Sequence, residues 1–210
     1  MKKTIFTSIL CISCMVLLTH CTQNKVENAD TNSTSHPGDS AAAQLMSNQS
    51  EIDRGRYLVA ICVCDDCHSP KIMTAEGPVI DSTRRLSGHP ADSKLPEIKQ
   101  SELAPGKWVM GTQDLTAWAG LWGVSFPVNL TPDNETGIGA WTPELFIKIM
   151  RTGKFMGIES GRTLLPPMPW QSYRQMTDED LRAIFTYLKS LPPISNKVPD
   201  PLPPPDMKKS

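Results

Sequence analysis

The stretch CVCDDCHSP, Cys62 to Pro70, places two thiols three positions apart, Cys64 and Cys67, with the imidazole of His68 directly after them. On a helical turn, side chains at i and i+3 lie on one face. Two such thiols can hold one flat group by two bonds, while His68 reaches the same group from the same side. C-x-x-C-H is the spacing by which a haem is attached through its two vinyl groups, with the histidine ligating iron. The alternatives for C-x-x-C are a zinc half-site and a redox dithiol. Zinc needs two further ligands, yet after Glu51 the histidines are His68 and His89 and there is one C-x-x-C; the other, Cys11 to Cys14, lies in the apolar N-terminal run. A thioredoxin-like pair needs a βαβ setting, which the surrounding sequence does not offer. One covalent haem c is therefore the expected cofactor.

Working outward, the composition limits the partners. The 210 residues carry 21 basic and 22 acidic side chains, a formal net charge of −1. Such a balance leaves no electrostatic footprint for nucleic acid. Nineteen prolines and few aromatics imply helices separated by stiff loops, with a core completed by a group that is not protein. Cys11, Cys14 and Cys21 lie near the N-terminus, Cys62, Cys64 and Cys67 lie together, and no cysteine follows them. This is a local cluster and not a disulfide framework.

Residues 1–20 read as a signal peptide. Lys2 and Lys3 precede an apolar run, Thr4 to Thr19, that is short for a membrane span. The run ends in LLTHC, similar to a lipoprotein signal with lipid on Cys21, although His20 stands where a small residue is usual. The expected location is the periplasmic side of a membrane, anchored through the signal or through lipid. Residues 21–50 are polar and lack apolar periodicity, the pattern of a flexible tether. A helix is expected from Glu51 into the cysteine cluster, on Ile52, Tyr57, Leu58, Val59 and Ile61. A second follows Thr142, with Leu145, Phe146, Ile149 and Met150 as its apolar face and Gly153 as its stop. A third follows Thr177, with three acidic residues in its first turn and Leu181, Ile184, Phe185 and Leu188 inward. Residues 75–130 read as ordered loops, and the proline-rich tail, 197–210, as extended chain.

A second iron ligand must come from elsewhere. Met168 in LLPPMPW sits in a loop that three prolines stiffen, which suits a fixed thioether; ordinary packing is the competing role. Met156, Met176 and His89 are alternatives.

Residues 51–196 resemble the class I c-type cytochromes, in particular the monohaem relatives of cytochrome subunits that accept electrons from periplasmic dehydrogenases. CDDCH is similar to the family's attachment motif. NLTPDNETGIGAWTPELFIKIMRTGK is similar to its N-L-T-P-D…T-G-I-G-x-W segment and following helix. GRTLLPPMPWQSYRQMTDEDLRAIFTYLKSLPP is similar to its P-x-M-P-W loop and last helix. The resemblance implies an all-α cytochrome c domain around one haem, with first and last helices crossing at Gly55 near Tyr187. It implies His68 and Met168 as axial ligands, and Trp141, Asn129 and Arg162 as residues that pack on the haem or bind its propionates. Trp118 and Trp122 would cover the haem or fill the loops. Cys62 departs from the family, which has a small residue there. It stands unused, or pairs with Cys67 as C-x4-C-H. The implied role is electron carriage between redox protein partners, in place of catalysis, either alone or as a dehydrogenase subunit. The alternative is a haem enzyme or sensor with an open iron site and peroxidase-like chemistry.

Overall fold

The computed structural model describes residues 37–204. The expected signal, Cys21, most of the expected tether and the last residues of the tail lie outside them.

Among the described residues, five α-helices, three short 3-10 turns and five short strands make the fold. Helix α1 spans Pro37–Ile61, α2 Cys64–His68, α3 Pro143–Thr152, α4 Trp170–Tyr173 and α5 Asp178–Lys189. Helix α1 starts earlier than expected, so residues 37–50 of the expected tether are helical here. Their described side chains are exposed, and packing against the core begins at Ile52. Both later helices have the expected caps. Thr142 accepts from the Leu145 N–H, and Thr177 from the Asp180 N–H. Gly153 ends α3 at φ 65°, with its N–H on the Ile149 carbonyl, the left-handed cap that glycine adopts without a Cβ penalty.

The core forms where α1 crosses α5 and α3 packs beside them. Leu58 and Val59 of α1 meet Phe146 and Met150 of α3 and Leu181, Ile184, Phe185 and Leu188 of α5. Burying each such side chain contributes about 1.5–3 kcal/mol. The crossing is close. A Cβ on Gly55 would lie 1.9 Å from the Ala183 carbonyl oxygen and 2.7 Å from Tyr187 Cβ. Arg54 bridges to Asp180 with bonds of 2.9 and 3.2 Å, but half of its side chain is exposed, so this pair adds little.

The fold is not plainly all-α, which corrects the expectation. Strands β1 (Lys71–Thr74) and β2 (Gly77–Ile80) form an antiparallel hairpin, with Ile72 opposite Val79. Strands β3 (Met110–Gly111), β4 (Trp118–Gly120) and β5 (Gly123–Ser125) form a second antiparallel sheet. Strands of two to four residues are too short to reveal a period of two in sequence. The two indoles help close the second sheet: Trp118 Nε1 donates to the Leu115 carbonyl, and the Trp122 ring covers Gly120.

The C-terminal segment straps these loops to the core. Asn196 Nδ2 donates to the Ser87 and His89 carbonyls, its Oδ1 accepts from the Ala91 N–H, and Leu202 exchanges two 2.9 Å backbone bonds with Val124. Proline cannot donate to a ladder, so a proline-rich chain suits a strap with isolated contacts.

Candidate haem-attachment site

Helix α1 stops at Ile61, and Cys62 N–H still bonds back to the Leu58 carbonyl at 2.9 Å. Val63 then takes φ 52°, ψ 34°, the left-handed conformation, with its side chain exposed. A β-branched residue there is strained, by roughly 1–3 kcal/mol. The break separates Cys62 from the next turn. Cys64 and Cys67 share that turn as expected, with Cys64 packed on the core cluster. Burial pushes the Cys64 thiol up to about 12 and raises Cys67 as well, so both are held as neutral thiols.

His68, next along, is buried. Its Nδ1 lies 2.8 Å from the Val128 carbonyl oxygen. A carbonyl can only accept, so Nδ1 carries the hydrogen and Nε2 keeps its lone pair. Burial also lowers the imidazole's basicity, which keeps the ring neutral. The same turn is held at two further points. The His68 carbonyl accepts from the Gly88 N–H at 2.7 Å. Asp65 Oδ2 accepts from Arg85 at 2.6 Å, and Arg85 also donates to the Tyr187 hydroxyl on α5 at 2.7 Å. The other oxygen of Asp65 accepts from Ser69 Oγ, which in turn accepts from the Leu86 N–H. Two thiols on one turn and a neutral imidazole with a fixed tautomer suit a group held by two thioethers and one nitrogen.

Met168 is half-buried against the same hydrophobic cluster as Cys64. Its segment reaches Cys62, just ahead of the cysteine turn, through Tyr173 of α4, whose hydroxyl donates to the Cys62 carbonyl at 2.5 Å. Burial, with the three neighbouring cysteines, raises the phenol's affinity for its proton. Met176 packs on the core, as its place before a helix cap suggests. His89 is buried with Nδ1 on Thr116 Oγ1 at 2.9 Å and its ring 4.7 Å from that of Phe126. Trp141 is half-buried on the core cluster. Asn129 is committed to its loop: Nδ2 donates to Thr136 Oγ1 and the Ile194 carbonyl, and Oδ1 accepts from Thr131 N–H and Oγ. Arg162 is exposed, its guanidinium 4.1 Å from the centre of the Phe155 ring. Sequence reasoning missed Arg85, Ser69, Tyr173 and the Val128 carbonyl. The first three are unremarkable residue types, and a main-chain acceptor leaves no mark in a sequence. Among the described residues no group of three or more His, Cys, Asp or Glu side chains is placed to hold a metal ion, and no helix is long and apolar enough to cross a membrane.

No protein-family model matches the chain. It is 30% identical over 147 residues, 70% of its length, to the gluconate 2-dehydrogenase cytochrome c subunit of Pantoea cypripedii, covering 24% of that protein. It is 36% identical over 81 residues, 37% of its length, to the cytochrome c subunit of the quinone alcohol dehydrogenase of Gluconobacter oxydans, covering 16% of it. It is 36% identical over 63 residues, 30% of its length, to the fructose dehydrogenase cytochrome subunit of Gluconobacter japonicus, covering 12% of it. The chain thus spans a quarter or less of these relatives. Together with the C-x-x-C-H turn, these similarities support a cytochrome c-like family for the chain.

Proposed function

We propose that this chain is an electron carrier with one haem c, bound covalently through Cys64 and Cys67 and ligated by His68 and Met168. The observation that carries the reading is the bond from His68 Nδ1–H to the Val128 carbonyl. It leaves Nε2 as the ligating nitrogen beside two thiols of one helical turn. When bound, the haem supplies a one-electron couple that His/Met ligation biases toward the reduced state. Cys64 and Cys67 would hold the group through two thioethers. The Val128 carbonyl orients the imidazole. The cluster around Leu58, Leu130 and Phe146 provides the low-dielectric wrapping. Trp141 packs against this cluster.

The relatives' names, cytochrome c subunits of gluconate and alcohol dehydrogenases, support a dehydrogenase as the electron donor, with this chain as its subunit or transient partner. Redox encounters of that kind bury little surface. The signal-like residues 1–20 and Cys21 support export to the periplasmic side and a membrane anchor.

Optical spectra of the matured protein, oxidised and reduced, with and without carbon monoxide, test this reading. The expected result is low-spin haem c with the weak near-red sulfur–iron band and no shift with carbon monoxide; Met168→Ala abolishes the band. A high-spin spectrum that shifts with carbon monoxide replaces the carrier with the open-site enzyme or sensor.

A further inference from the structure

Lys71, three residues past His68, is half-buried on β1. Its ammonium donates to three main-chain carbonyls: Asp66 at 2.6 Å, Ser69 at 3.3 Å and Asp114 at 2.7 Å. Asp66 and Ser69 flank the Cys67–His68 pair, so the ammonium sits over the carbonyl end of α2. Cations are favoured there by the helix-end dipole. The third acceptor belongs to the loop before β4. One side chain therefore joins the cysteine turn to the inserted sheet.

The charge is held by neutral acceptors. The ionisable groups facing it are the Asp114, Asp66 and Asp65 carboxylates and the Cys67 thiol. Asp65 is already paired with Arg85, and Asp114 accepts from the Thr116 hydroxyl and N–H. None of them forms an ion pair with Lys71 among the described residues, so its positive charge is not cancelled by contact. A fixed cation beside a redox group favours the state with one more electron.

We propose that Lys71 is a positioning residue that clamps the C-terminal side of the haem-attachment turn, and that its caged charge raises the reduction potential of the group attached there. This rests on the haem reading above. The test compares wild type with Lys71→Met, Lys71→Gln and Lys71→Arg, each matured with haem, by covalent haem content, reduced spectrum and midpoint potential at constant pH and salt. The charge-free variants should bind the electron about three- to tenfold more weakly, a fall of roughly 30–60 mV at 59 mV per tenfold for one electron. Lys71→Gln keeps an N–H donor without the charge, and decides the matter if Lys71→Met does not mature. Lys71→Arg should return toward the wild-type value. An unchanged potential in both charge-free variants, or an arginine variant as low as they are, overturns the proposal. Absence of covalent haem in the wild type overturns the haem reading instead.

Discussion

The imidazole of His68 is hydrogen-bonded to the carbonyl of Val128, 60 residues further along the chain, at 2.8 Å. Everything between them is an excursion from which the chain must return in register for that one acceptor. Asn129, the next residue, holds the returning segment in place through four bonds to Thr131, Thr136 and Ile194.

Asn129→Ala should therefore destabilise the protein by about 1–3 kcal/mol, because it leaves the buried Thr131 N–H without a partner, while the Ile194 carbonyl keeps the Thr131 hydroxyl. The measurement is the urea midpoint of the haem-loaded protein. A loss below about 0.5 kcal/mol, the scale of an ordinary surface change, would show that water replaces these bonds readily.

The two candidate attachments are distinguishable by thiol. Cys64 lies in the turn with Cys67 and on the core cluster, whereas Cys62 lies before the Val63 break. Cys62→Ser should keep a two-thioether haem. Cys64→Ala should give a single thioether, seen as a red-shifted reduced band in alkaline pyridine. The reverse pattern would assign the attachment to Cys62 and Cys67.

Much of this fold was legible in the sequence, for identifiable reasons. Thr142 and Thr177 announce α3 and α5 because a cap is a local bond between neighbours in sequence. That Cys64, Cys67 and His68 share one turn was legible because they are neighbours in sequence. The hairpin at Lys71–Ile80 is not: Pro78 sits in its second strand, and proline argues against strand unless the strand is an edge. Nor is the start of α1, where polar residues with no apolar stripe gave a tether reading; the described side chains before Glu51 are exposed, so no core contact marks the helix. The Asp65–Arg85–Tyr187 link bonds Arg85 to residues 20 and 102 positions away, a pairing that no local pattern encodes.

Gly55→Ala tests the helix crossing directly. Alanine improves helix propensity by about 1 kcal/mol. Its methyl, however, would meet the Ala183 carbonyl oxygen at 1.9 Å, and that oxygen is main chain and cannot rotate away. Overpacking typically costs about 1–3 kcal/mol, and the upper end is expected here, read as a lowered urea midpoint. A variant as stable as wild type would mean that α1 and α5 separate without penalty.

His89 should make the stability depend on pH. Burial lowers its proton affinity, although Asp114, the Thr116 bond and Asp92 act in the opposite direction. Unfolded histidine takes up a proton near pH 6.5. The unfolded state therefore binds more protons than the folded state below that pH. Stability is full above about pH 6.5 and falls as the pH drops, until the folded ring also protonates. If His68 ligates as proposed, His89 is the histidine among the described residues left to carry this effect. Urea midpoints at pH 7, 6 and 5 should decline, with a limiting slope of about 1.4 kcal/mol per pH unit for one proton. His89→Gln, which keeps a donor toward Thr116, should flatten the decline across that range. An equally steep decline in the variant would assign the dependence to other groups.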